Sequence, residues 1–158
     1  MKGLSKMAGR KIAALLAIAA LLAPSLAAAR PARTLTERNR AVITAFAAMF
    51  YGKHDVRGAF ERYVAPDYIQ HNANILDGRD AAIAALEPMF RQEGSRFEIK
   101  RIVVDGDMAV IHLHGRAGAQ GNGGTVADIY RLEHGKIVEH WDILQPIADK
   151  PLNPHAYF

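Results

Sequence analysis

Residues 125–146, TVADIYRLEHGKIVEHWDILQP, decide how the rest of the chain is read. Val126, Asp128, Tyr130 and Leu132 alternate with Ala127, Ile129, Arg131 and Glu133, and a period of two marks a half-buried strand. His134-Gly135 comes next, a pair suited to a tight hairpin because such turns need positive φ. A regular hairpin through this turn sets Glu133 against Lys136, Leu132 against Ile137, Tyr130 against Glu139 and Asp128 against Trp141. Asp128 is therefore expected on the core side, beside an indole and near a phenol. A buried carboxylate without a partner is costly. Either it is a structural Asp held by an ion pair or hydrogen bonds, or an apolar pocket raises its proton affinity so that it moves protons near neutral pH. In the regular hairpin His140 falls on the opposite face, and a bulge would reverse that.

Working backwards, the alternation continues. Phe97, Ile99, Arg101 and Val103 alternate with Glu98, Lys100, Ile102 and Val104, and Asp105-Gly106 signals another hairpin. In its partner strand, Met108–Arg116, one face carries Ala109, Ile111 and Leu113 and the other Val110, His112, His114 and Arg116. The Gly-rich stretch 115–124 lacks the Lys and Ser/Thr placement of a phosphate-binding loop. The preceding half has helical spacing instead. Thr34 and Glu37 form a capping box, and Val42, Ile43, Phe46, Met49 and Phe50 make one apolar stripe that ends near Gly52. A second helical segment opens at Asp55 and stops at Pro66. The segment from Asp67 to Asn72 reads as a polar–aromatic connection between helices. A third helix starts at Asp77-Gly78, and Pro88 is expected to kink or split it. The tail, residues 147–158, is expected to dock irregularly. Helices first and a strand meander second make an α+β fold, with helices on one face of a curved antiparallel sheet and a pocket between the layers.

The chain has 158 residues, enough for one core. Residues 1–29 read as a secretory signal peptide. Lys2, Lys6, Arg10 and Lys11 precede an apolar run from Ile12 to Leu22, and Ala27-Ala28-Ala29 offers a cleavage site. The expected domain is therefore 30–158, periplasmic or secreted, and free of the membrane once the leader is removed. Four of the 20 basic residues and none of the 16 acidic ones lie in the leader, so the remainder balances at 16 of each. No basic cluster is left for nucleic acid. The absence of cysteine excludes disulfides and thiol catalysis. Ser95 is the one serine beyond the leader, and it lies in no nucleophile motif. His112 and His114 have the spacing of strand metal ligands. The third ligand of such a motif would fall at Gly118 or Ala119, so no metal is expected. Tyr68, His71 and Asn72 are candidates for a pocket mouth.

Tyr68-Ile-Gln-His-Asn72, Gly78-Arg79-Asp80, Asp128-Ile-Tyr-Arg-Leu132 and Gly135-Lys-Ile-Val-Glu-His-Trp-Asp142 together resemble the SnoaL-like polyketide cyclases of the nuclear-transport-factor-2-like superfamily. The resemblance covers essentially the whole of 30–158. It implies a cone-shaped α+β fold with a deep pocket, paired as a homodimer through the sheets. It also implies that Asp128 is the general acid/base of an aldol-type ring closure with His114 near it, and that His112 stands where the family carries a pocket-lining Gln. On this analogy both histidines face the pocket, whereas the alternation turns Ala109, Ile111 and Leu113 inward. The expectation is thus an exported protein that binds a small hydrophobic carbonyl compound and cyclises or isomerises it without a cofactor. Asp128 and His114 would be catalytic; His112, Tyr68, His71, Asn72, Tyr130 and Trp141 would contact the substrate. The alternative is a non-catalytic binding or dimerisation module of the same fold.

Overall fold

A computed structural model describes residues 32–158; the expected signal peptide lies outside the described residues. Three helices, α1 (Leu35–Lys53), α2 (Val56–Tyr63) and α3 (Arg79–Arg91), pack on a five-stranded sheet. The strands are β1 (Val64–Gln70), β2 (Arg96–Asp105), β3 (Met108–Arg116), β4 (Gly124–Glu133) and β5 (Lys136–Pro146), in the order β1-β5-β4-β3-β2. The last four strands form the expected antiparallel meander.

The α1 capping box forms as expected: Thr34 Oγ1 accepts from Glu37 N–H, and the Glu37 carboxylate accepts from Thr34 N–H at 2.8 Å. Ile43, Phe46 and Phe50 are buried, joined by Ala47 and Tyr51. Asn39, also buried, donates to Gly106 O at 2.9 Å, and Thr36 Oγ1 accepts from Gly106 N–H at 3.0 Å. These contacts pin the start of α1 to the β2–β3 turn. Phe46, Phe60, Ile83, Ile111, Leu113, Leu132 and Ile137 form the centre of the core between helices and sheet.

Three expectations change. The segment from Asp67 to Asn72 is not simply a connection between helices: its first four residues, with Val64–Pro66 from the expected end of the second helix, are in a strand. They form β1, an edge strand parallel to β5, which makes the sheet mixed. Pro66 is tolerated because a sheet edge has unpaired donor positions. Pro88 does not split α3, which runs unbroken to Arg91. A proline so near the C-terminus removes a single intrahelical bond. The hairpin pairing also differs beyond its first two rungs. Leu132 pairs with Ile137 but Arg131 pairs with Glu139, so Val138 is a bulge residue. Beyond it Tyr130 faces His140, Ile129 faces Trp141 and Asp128 faces Asp142. A second bulge at Lys100 turns Ile102 and Val104 inward and leaves Arg101 and Val103 on the outer face.

Candidate functional site

Between the helices and the inner face of the sheet lies a cavity of about 450 Å³. Its walls are mostly apolar: Phe50 and Tyr51 from α1, Phe60 from α2, Leu86, Met89 and Phe90 from α3, and Phe97, Leu113, Val126 and Leu144 from the sheet. Its polar groups converge on one side: Tyr68, Gln70, Asn72, Asp128, Tyr130, His140 and Asp142. A few convergent polar groups in an apolar cavity are the usual form of a small-molecule site.

Asp128 is 8% exposed and has partners on both oxygens. Tyr51 Oη donates to Oδ2, and His140 Nε2 lies 3.2 Å from Oδ1. Tyr51 Oη is 2.6 Å from Tyr130 Oη. Because Tyr51 spends its proton on Asp128, Tyr130 must donate to Tyr51. Burial first, and the Asp128 charge next, push the Tyr51 and Tyr130 hydroxyls well above the ordinary tyrosine range, so both remain donors at neutral pH.

The other side of His140 fixes where its ring proton sits. Nδ1 lies 2.9 Å from Gln70 Oε1, and the same oxygen accepts from Asn72 N–H at 2.9 Å. The backbone donor requires an oxygen there, so His140 Nδ1 must carry a proton. Nε2 then shares a single proton with Asp128 Oδ1, either as imidazolium against carboxylate or as imidazole against carboxylic acid. Gln70 Nε2 donates to Tyr68 Oη at 3.3 Å, and the Tyr68 hydroxyl, on a residue that lines the cavity, has no acceptor for its own proton among the described residues. Burial and Asp128 raise the Tyr68 hydroxyl in the same way, so it too stays protonated.

Asp128, Tyr68, Asn72 and Tyr130 are thus brought together on the cavity wall. The other four expected site residues are not. His114 and His112 point to the outer face, because Ile111 and Leu113 occupy the inner one. His114 Nε2–H donates to Asn122 O at 2.7 Å, His112 Nε2 lies 2.7 Å from Thr125 Oγ1, and Phe158 rests near both rings. The simple alternation of β3 was the correct guide, and the placement inferred from the family resemblance is corrected. Trp141 is carried outward by the Val138 bulge, where it stacks on His71 with ring centres 4.6 Å apart. His71 Nε2 contacts Glu139 Oε1 at 2.8 Å on that same outer face. Tyr51 and His140 are the residues that contact Asp128, and Gln70 contacts His140. Tyr51 was legible in principle: Ile43, Ala47 and Tyr51 recur at four-residue spacing along the inner stripe of α1. Among the described residues no group of three or more His, Cys, Asp or Glu side chains is placed to hold a metal ion.

The sequence profile of the SnoaL-like domain matches residues 43–140. No curated protein sequence matches the chain. Among solved structures, it is similar to a nuclear-transport-factor-2-like protein of unknown function from Mesorhizobium loti, with 22% identity over 72% of this chain and 96% of that one, TM-score 0.62. It is similar to a protein from Jannaschia sp. CCS1 provisionally assigned as a SnoaL-like polyketide cyclase, with 14% identity over 73% and 90%, TM-score 0.56. It is also similar to an LEH-like epoxide hydrolase from M. tuberculosis, with 17% identity over 71% and 86%, TM-score 0.58. At these identities the likeness establishes the fold.

Proposed function

The chain belongs to the SnoaL-like domain family, and we propose that it binds a small hydrophobic carbonyl compound and catalyses its aldol-type cyclisation or isomerisation without a cofactor. One observation carries the reading: a buried carboxylate, Asp128, stands in the wall of an apolar cavity with His140 on one oxygen and Tyr51 on the other. In the carboxylate–imidazolium arrangement Asp128 takes a proton from the carbon next to the substrate carbonyl. Tyr68, with its free hydroxyl proton, donates to the carbonyl oxygen on which negative charge develops. The enolate then either attacks a second carbonyl of the same molecule, forming a carbon–carbon bond and an alkoxide, or is reprotonated at another carbon. The proton held on Asp128 is returned to the alkoxide in the first case and to carbon in the second, so no external acid is consumed.

The test does not need the natural substrate. Incubation with a panel of cyclic ketones such as 1-tetralone and 2-tetralone in D₂O should incorporate deuterium at the carbon next to the carbonyl, read by mass spectrometry. Asp128→Asn should lower the exchange rate about 10²–10⁴-fold while ketone binding persists. Binding without exchange above the buffer background in the wild type would favour a second reading, a non-catalytic binding protein. That reading has its own support, since both oxygens of Asp128 are already engaged within the protein.

Export and pairing belong to the same proposal. The leader's basic and apolar layout supports a periplasmic or secreted location. A homodimer through the sheet is supported by an outward row of apolar side chains, Val103, Val110, Ile129 and Trp141, which run side by side across four strands. Sedimentation should give twice the monomer mass, and Val103→Asp should reduce it to the monomer.

A further inference from the structure

We infer that Asp142 is a specificity residue, and that the ligand is an uncharged carbonyl compound with a hydroxyl group close to the reacting carbon. The inference rests on the cavity's being the ligand site, as proposed above. Asp142 lies directly across from Asp128 in the β4–β5 register and on the same face. Directly opposed residues bring their Cβ atoms within about 5 Å. One oxygen of Asp142 accepts from Asn72 Nδ2, and the other has no hydrogen-bond partner among the described residues.

The charges of the lining decide the sign of the ligand. Two carboxylates and one imidazole face the cavity, and no Lys or Arg lines it. Arg116, between the lining residues Gly115 and Ala117, does not itself line the cavity and donates to Gly94 O at 3.2 Å. A ligand carboxylate or phosphate would enter beside Asp142 with no Lys or Arg to receive it and with both ring nitrogens of His140 already engaged by Gln70 and Asp128, and an unpaired charge in an apolar cavity is costly. A hydroxyl suits the place, because a carboxylate oxygen accepts strongly and needs a donor. Asp128 is the neighbour of Asp142. A ligand with its acidic carbon against Asp128 therefore presents to Asp142 a hydroxyl only a short way along its skeleton, as in a β-hydroxy ketone.

A matched series tests this by calorimetry: 1-tetralone, its 3-hydroxy derivative and its 3-carboxylate. The wild type should bind the hydroxy ketone about tenfold more tightly than the parent, a hydrogen bond to a charged group being worth that much. It should bind the carboxylate at least tenfold more weakly. Asp142→Leu should bind the hydroxy ketone no better than the parent. Asp142→Asn, which keeps the shape and the contact to Asn72, should relieve the discrimination against the carboxylate. Thermal melting of both variants establishes that they fold. Equal binding of carboxylate and parent by the wild type, or a hydroxyl preference that survives in Asp142→Leu, would overturn the inference. Binding without deuterium exchange sinks the acid–base reading alone, whereas failure of the whole series to bind sinks both.

Discussion

Two His–carboxylate pairs meet across β5, one on each face of the sheet. Inside, His140 meets Asp128 at 3.2 Å, with side chains 10% and 11% exposed. Outside, His71 meets Glu139 at 2.8 Å, with side chains 40% and 16% exposed. The residue types are nearly the same and the outer contact is the shorter, yet only the inner pair borders a cavity. The outer pair is also saturated: Arg131 Nε donates to Glu139 at 2.6 Å, and the hydrogen bond from His71, followed by that from Arg131, holds the Glu139 carboxyl below its usual range. A carboxylate flanked by two donors at a water-facing site stays ionised and has little chemistry left. The inner carboxylate has phenols, an imidazole, the Asp142 carboxylate opposite and empty space around it, and no guanidinium or ammonium group. What separates the two pairs is one residue, Val138, whose bulge decides which side chains of β5 turn inward.

The most severe way to break the comparison is to exchange the two side chains that the bulge sorts, in a His140→Trp, Trp141→His double variant. The register is kept, but an indole then stands opposite Tyr130 where Asp128 has its imidazole. The expected result is loss of cooperative unfolding in circular dichroism and loss of ketone binding. Next in size, His140→Leu strands Asp128 Oδ1 in the interior and should cost about 3 kcal/mol in urea denaturation. His71→Ala should cost at most about 1 kcal/mol, as exposed pairs do. Similar losses for the two would dissolve the distinction between the faces. Tyr51→Phe removes the donor to Asp128 and the acceptor for Tyr130, for an expected loss of about 1–3 kcal/mol by the same measurement.

The inner face also predicts a pH response. Tyr51, Tyr68 and Tyr130 have raised values when folded, and free tyrosine ionises near pH 10. The stability they contribute is therefore complete below about pH 10 and is lost as pH rises beyond it. In an alkaline titration followed by ultraviolet absorbance, three of the chain's five tyrosines should ionise only as the protein unfolds. Ionisation of all five with native circular dichroism intact would contradict the burial of this network. The smallest effect belongs to the outer face. His71→Ala should shift the emission of the single tryptophan to the red by uncovering Trp141, whereas Gln70→Leu should leave it in place.

Much of the fold could be read because its signals are local. The capping box at Thr34, the apolar stripe of α1, the turn at His134-Gly135 and the alternation of β3 each lie within a few residues. The family motifs supplied the pocket. β1 escaped because a parallel edge strand is defined by a partner seventy or more residues away, and Pro66 argued locally for a stop. The bulges at Lys100 and Val138 escaped for a related reason: an extra residue in a strand leaves no mark in composition, yet it turns over every side chain beyond it. That is why Asp128, Tyr68, Asn72 and Tyr130 could be assigned to the cavity, while Trp141 was expected inside and His140 outside. His112 and His114 were misplaced by the reverse error, when an analogy outweighed an alternation that was already correct.

The amide of Gln70 ties the rim of the cavity to its chemistry. Its orientation is held by the backbone N–H of Asn72, at the start of the segment that leads to α3. If that segment swings away, the amide is released to rotate, and its NH₂ group can turn to the ring in place of the oxygen. His140 would then have to present a bare Nδ1 and keep its proton on Nε2, against Asp128. A displacement at the doorway would thus reset the proton inventory of the dyad without any movement of the strands that carry it.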